Sequence, residues 1–272
     1  MTYPIATAPP VFSIGRVIGR GFQIAGSNFW KLTGLCLIAL LISFLLTMAA
    51  TLVVAIGGND TSGAASGLFA IANLTISVMQ FAFIWGAVTY AGVSEIEGRP
   101  APFGECFSHG MRTLLPITGL FVLSSLGLLA SYIIFVIPSI ILSILWSVTA
   151  QALAVEKIGV FQAFSRSLFL TRGNRWPIFG LNLLIGLGNV AFIAIVLTGV
   201  GIIISAYGAS LKTPSTPEAE VGPVIALILG GGLLYLATVA AMILVNACLQ
   251  TSLYAELRQI KEGGFNAAAV FD

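Results

Sequence analysis

Residues 32–56 read LTGLCLIALLISFLLTMAATLVVAI, 25 positions without one charged side chain. The run is apolar on every side, so no rotation of a helix or flip of a strand gives it a watered face. It exceeds the ~18 residues at which a hydrophobic stretch reads as membrane-spanning. A transmembrane barrel would show segments of ~10 residues alternating apolar and polar, and this stretch does not alternate. The remaining solution is a helix that satisfies its own backbone in lipid.

Working outward, similar runs recur along the chain. Hydrophobic residues make up 58% of the 272 positions, charged residues only 8%, and mean hydropathy is +1.03. A soluble domain carries about 25% charged residues. Six spans are predicted, at roughly 29–56, 67–94, 114–135, 138–156, 176–207 and 223–254. The third and fourth divide at Phe135-Val136-Ile137-Pro138, because proline suits the first turn of a helix and not its interior.

Orientation follows the basic residues. With the N-terminus in the cytoplasm, Arg16, Arg20, Lys31, Arg99, Arg112, Lys157, Arg166, Arg172, Arg175, Arg258 and Lys261 lie inside, and only Lys212 lies outside. The expected location is therefore a bacterial inner (cytoplasmic) membrane, multi-pass, with both termini cytoplasmic. The opening residues lack the pattern of a cleaved secretory signal and read as a mature N-terminus. Cys36, Cys106 and Cys248 have no metal or disulfide spacing. A net charge of +2 without a basic stripe excludes nucleic acid as a partner.

Before each odd-numbered span lies a more polar stretch with basic residues: FSIGRVIGRGFQIAGSN, FGECFSHGMRT and GVFQAFSRSLFLTRGNR. Each reads as an amphipathic helix in the cytoplasmic interface, with apolar positions such as Val17, Phe22 and Ile24, or Phe161, Phe164, Leu168 and Phe169. The chain also repeats itself. A shift of 146 aligns Arg20, Asn28, Trp30 and Gly34 with Arg166, Asn174, Trp176 and Gly180. A shift of 61 aligns Trp85, Glu95, Gly98 and Phe103 with Trp146, Glu156, Gly159 and Phe164. The expected fold is an all-α integral membrane protein: six transmembrane helices as three helical hairpins, each preceded by a cytoplasmic interfacial amphipathic helix, in a pseudo-threefold repeat. It forms a single transmembrane domain with repeat units at about 12–96, 103–157 and 159–258 and a short cytoplasmic tail at 259–272.

Two groups of residues carry the candidate chemistry. The first is uncharged and runs along helix faces inside the spans: Asn73, Ser77 and Gln80; Ser139, Ser143, Ser147 and Gln151; Asn182, Gly186 and Asn189; Asn246, Gln250 and Tyr254. These faces should turn inward, either to hold helices together or to line a polar cavity for a lipid headgroup or small solute. The second lies at the cytoplasmic ends. Glu95, Glu156 and Arg258 are expected in an ion-pair collar, with Glu97, Glu256, Glu262 and Arg99 nearby. Arg166, Arg172, Arg175, Trp176, Arg20 and Trp30 are candidates for lipid headgroups, since guanidinium forks suit phosphate and indoles anchor at the interface. Arg166 should matter more than Arg112. The serines have no base at nucleophile spacing, and Gly230-Gly231-Gly232 lies within a span and is no phosphate loop. No catalytic set, cofactor or metal site is expected.

The stretches VEKIGVFQAFSRSLFLTRGNRWPIFGLNLL and SLYAELRQIKEGG, with Pro138, Glu156, Ala163, Phe164, Arg166, Ser167, Leu170, Thr171, Gly173, Trp176, Tyr254, Arg258, Glu262 and Gly263, resemble the glycerophosphoryl diester phosphodiesterase membrane-domain family, related to the YciC-like bacterial inner-membrane proteins. The resemblance implies an architecture more than an activity. A catalytic (β/α)₈ barrel needs ~250 further residues with metal-binding carboxylates and histidines, and His109 is the one histidine here. The expectation is a non-enzymatic membrane protein whose partners are lipids, anionic ones included, or a membrane protein or second copy of the chain, acting in envelope organisation or homeostasis. The alternative is a transporter or channel for a lipid or small solute through a polar intramembrane cavity.

Overall fold

The structure is a computed structural model that describes residues 12–56, 63–99, 101–210 and 217–263. Among these residues the elements are all helices: α1 (Ile14–Ser27), α2 (Phe29–Ile56), α3 (Gly63–Ile96), α4 (Phe103–Ile134), α5 (Val136–Leu145), α6 (Thr149–Glu156), α7 (Val160–Thr171), α8 (Arg175–Ser210) and α9 (Pro217–Glu262). Six segments are long and apolar enough to cross a membrane, with α5 and α6 together forming the fourth. The chain is an all-helical polytopic membrane protein.

Large apolar side chains such as Leu41, Leu45, Leu52, Ile71, Leu126, Leu187 and Ile195 stand exposed on these helices. In water such a surface would aggregate; against lipid tails it costs nothing. The tightly buried core is instead gathered at one end. There Val17, Val93, Val155, Leu170, Ile178, Leu253 and Tyr254 pack into one cluster, and Ile24, Leu35, Ala87, Ala91, Ala247 and Cys248 into a second. The bundle is thus knit at the end where α3, α6 and α9 finish and α2, α4 and α8 begin.

Helices approach closely where small residues allow it, the usual solution when lipid removes any hydrophobic drive between helices. At Gly110 of α4 the Phe83 carbonyl and ring of α3 lie 3.0 Å from where a Cβ would stand. At Gly21 of α1 the position of a Cβ falls 3.1 Å from the Leu249 Cα of α9. All three cysteines are free and buried. Cys106 lies within α4, not in a connection.

The helix bounds depart from the sequence reading in four places. The stretch FGECFSHGMRT is not a separate interfacial helix. It runs unbroken into the third span as α4, which carries Pro116 inside it. Nothing between Phe103 and Leu115 supplies a stop signal, and the helix absorbs the one backbone bond that Pro116 removes. The fourth span, read as continuous, breaks at Trp146–Val148, where the Trp146 N–H donates to the Leu142 carbonyl and the Thr149 N–H to the Trp146 carbonyl, 3.0 and 3.2 Å. The turn before it falls as expected, at the extended Phe135 with Pro138 in the first turn of α5. Helix α9 continues to Glu262, past the boundary drawn at 258, and the tail beyond Gly263 lies outside the described residues. Helix α9 also begins at Pro217, ahead of the start near 223 drawn for the sixth span, while Lys212 lies outside the described residues.

The packing at Gly110 makes a direct test. Gly110→Val should destabilise by about 1–3 kcal/mol through overpacking against backbone. Gly119→Val on the same helix has nothing within 4 Å of the new Cβ and should stay within about 0.5 kcal/mol. Thermal unfolding of both variants in one detergent checks the difference.

Candidate functional site

The two helices expected on the membrane surface are wedged into the bundle. Val17, Gly21, Ile24 and Ala25 of α1 are buried, and the Ser252 hydroxyl of α9 donates to the Val17 carbonyl at 2.8 Å. On α7, Ala163, Ser167, Leu170 and Thr171 are buried, and the Ser167 hydroxyl donates to the Leu145 carbonyl at 2.7 Å. Phe22, Phe161 and Phe169 point the other way and are exposed. Each helix therefore has one apolar face in protein and aromatic residues left for lipid.

Buried carboxylates fasten these helices. Glu256 of α9 has a side chain only 1% exposed, and Arg16 and Arg20 of α1 donate to its two oxygens at 2.6 and 3.0 Å. Glu156, the last residue of α6, accepts from Arg166 Nε of α7 and from the Tyr254 hydroxyl of α9, both at 2.8 Å. Arg166 also pairs with Glu262, which Arg258 Nε holds at 2.9 Å. At the third position Glu95 of α3 accepts from the Asn28 amide at 3.0 Å, and Lys31 donates to the Asn28 carbonyl oxygen at 3.1 Å. Burial alone would lower the Arg166 pKa. Its hydrogen bonds to Glu262 and Glu156 outweigh that and raise it above the ordinary guanidinium value.

The residues expected in the collar are brought together only in part. Glu156 and Arg258 belong to it through Arg166, Tyr254 and Glu262, while Glu95 meets an amide and not an arginine. Arg20, a headgroup candidate in the sequence, is committed to Glu256 and Gln259, and Arg166 to two carboxylates. Neither presents a free fork to lipid. The Arg16–Glu256 pair was not singled out from sequence, and the only hint was that Arg16 lies one turn before Arg20. Tyr254, placed on an intramembrane stripe, serves the collar.

Arg172 and Arg175 are exposed and have no acidic partner among the described residues. They flank the Gly173 turn, whose φ of 91° puts it in the left-handed region that suits glycine. Arg175 and Trp176 close one end of an apolar groove of about 340 Å³ whose walls are Ile137, Ile140, Ile141 and Ile144 of α5 and Phe179 of α8. Trp176 and Trp30 are each 83% exposed at the start of their spans, as expected for interface anchors.

The uncharged stripes divide. Ser77 is exposed and Asn73 half-buried, and the Asn73 amide and the Ser77 hydroxyl bond back to the carbonyls of Phe69 and Asn73 at 2.9 Å each. With its hydrogen bond made inside its own helix, Ser77 can face lipid. Gln80 lines an outward groove beside Met79 and Met111. On α8 and α9 the reading holds. Asn189 and Asn246 exchange amide bonds at 3.1 Å in both directions, and Gln250 donates to Asn182 at 3.3 Å. Ser147 and Gln151 lie at a cavity between α3, α4, α5, α6 and α9. His109 reaches the Ala154 carbonyl at 3.1 Å and stacks on Tyr90, contacts not foreseen from sequence.

This fold and collar define a helical polytopic membrane protein knit at its basic end. No family model, curated protein or solved structure matches the chain.

Arg166→Ala leaves Glu156 with only the Tyr254 hydroxyl and Glu262 with only Arg258, and should cost about 1–3 kcal/mol. Arg112→Ala, at an exposed position without an ion pair among the described residues, should stay within about 0.5 kcal/mol. Adding Glu156→Gln to Arg166→Ala should recover part of the loss. Denaturation of the four proteins in the same micelle gives the comparison.

Proposed function

We propose that this chain is a non-enzymatic inner-membrane protein, its termini cytoplasmic, that holds an anionic phospholipid at the turn between α7 and α8. The single observation carrying this reading is the groove at Arg175 and Trp176. An acyl chain fits the isoleucine wall of α5, and the phosphate meets Arg175, Arg172 and the positive N-terminal end of α8. The two arginines are available because the neighbouring carboxylates are already paired with Arg166 and Arg258. The collar's glutamates, saturated by arginines and a tyrosine, favour a structural role over acid–base chemistry.

The proposal includes the threefold arrangement and the likeness to the glycerophosphoryl diester phosphodiesterase membrane-domain family. Three contacts support the former. The segment leading the first hairpin docks on α9 through Arg20 and Glu256, and that leading the third docks on α6 through Arg166 and Glu156. The start of α4, leading the second, meets α3 where the Tyr90 hydroxyl donates to Glu105 at 2.8 Å. Each unit thereby clasps a neighbour, closing a ring.

In phosphatidylcholine nanodiscs, added phosphatidylglycerol should stabilise the protein in a salt-sensitive way. Arg172→Ala/Arg175→Ala should remove about 2 kcal/mol of that gain, roughly 1 per basic residue. Thermal melts that do not respond to anionic lipid would refute the reading.

A further inference from the structure

A half-open cavity of about 290 Å³ lies beside the fourth span, bounded by α3, α4, α5, α6 and α9 and by the α5–α6 break. Its walls include the rings of Trp85, Phe121 and Trp146. Gln151, a residue 1% exposed, lines it with both amide atoms unpartnered, and the Gln250 carbonyl oxygen and the Ser147 hydroxyl on the same wall are also without partners. Other serines of the lining are not in this state. Ser125 and Ser143 return their hydroxyls to the carbonyls of Phe121 and Ile140 at 2.7 Å each. The unmet groups of this lining are thus carried by the α5–α6 break, α6 and α9.

Leaving a buried amide unpaired costs about 1–3 kcal/mol per group. Irregular backbone at membrane depth is tolerated where it is buried in protein or lines a cavity. A broken helix beside convergent, unsatisfied side chains therefore marks a binding site more readily than a packing defect. The donor and acceptor inventory selects the ligand. The Gln151 and Gln250 oxygens call for two donors, the Gln151 NH₂ calls for an acceptor, and Ser147 takes either role. No charged residue lines the cavity. A phosphate or carboxylate brings no donors and an unpaired charge, an ester brings acceptors alone, and a quaternary ammonium brings neither. A group with two or more hydroxyls meets every demand, and flat aromatic walls suit the C–H faces of a polyol or sugar.

We propose that this cavity binds a neutral polyhydroxylated group, such as glycerol or a sugar, presented by an uncharged lipid headgroup or as a free solute. The site lies on another face of α5 from the Arg175 groove and is independent of it.

The test uses the full chain in phosphatidylcholine nanodiscs, read by tryptophan fluorescence and thermal shift. The lipid-borne probes are 1-monooleoylglycerol and octyl glucoside, the free probes glycerol and glucose, and methyl oleate, uncharged and without a hydroxyl, is the chain-only control. Saturable binding of a hydroxylated probe, with methyl oleate inert, is expected. The lipid-borne pair alone would assign the source to a headgroup, and the free pair to a solute. Gln151→Leu should weaken binding about tenfold or more, while melting at the same or a higher temperature without ligand, since it removes the unpaired amide. Ser147→Ala, a smaller change, should weaken binding severalfold and serves if the leucine variant does not fold. The proposal is overturned if no hydroxylated probe saturates, if methyl oleate binds equally well, or if the folded variants bind as the parent does. In each case the amides are satisfied by water alone.

Discussion

A carboxylate shielded from water must be paired, and much of this protein's architecture follows from that requirement. Moving one ion out of water costs several kcal/mol even after relaxation, and the cost is recovered only by close, well-directed partners. Glu256 is almost completely enclosed, and two arginines from a helix 236 and 240 residues away in sequence supply those partners. Glu156 sits in the same situation and draws on α7 and α9. A segment that would otherwise float on the membrane surface is thereby tied to a particular span. In lipid, where apolar faces have no reason to prefer each other over acyl chains, such polar ties can set which helices become neighbours.

The ties also determine what is left over. With Arg16, Arg20 and Arg166 committed to glutamates, the basic end retains Arg172 and Arg175 beside the α5–α8 groove. Farther into the span, the same wedging of α7 against α6 accompanies the break in the fourth span, where Trp146 meets Phe164 edge to face with ring centroids 4.7 Å apart. The break turns Ser147 and Gln151 toward a space that no neighbouring side chain fills. The paired charges are thus spent on assembly, while Arg172 and Arg175 stay uncommitted and uncharged amides face the cavity.

Much of this was legible in the sequence, because the bilayer imposes simple rules. The length of each apolar run showed the six spans, and Pro138 marked the turn at Phe135. The Asn182, Asn189, Asn246 and Gln250 stripes met across α8 and α9 because an amide in lipid gains by finding another amide. On α3, Asn73 and Ser77 bond instead to carbonyls of their own helix, a choice that spacing cannot reveal. The pairing of Arg16 and Arg20 with Glu256 was equally hidden. Charge counts place basic and acidic residues at the same end, but which lead helix docks on which span depends on a tertiary arrangement without local signature. The helix break at Trp146 lacked a glycine or proline to announce it.

The central claim is that the Glu256 clasp, and not the apolar face of α1, holds that helix in the bundle. Hydrogen exchange on the Arg16→Ala/Arg20→Ala variant in nanodiscs addresses it most directly. Amides of α1 should lose about a hundredfold in protection, the equivalent of roughly 3 kcal/mol for a stranded buried charge, while α2 and α3 keep theirs. Unchanged protection of α1, or an equal loss across every helix, would contradict the account.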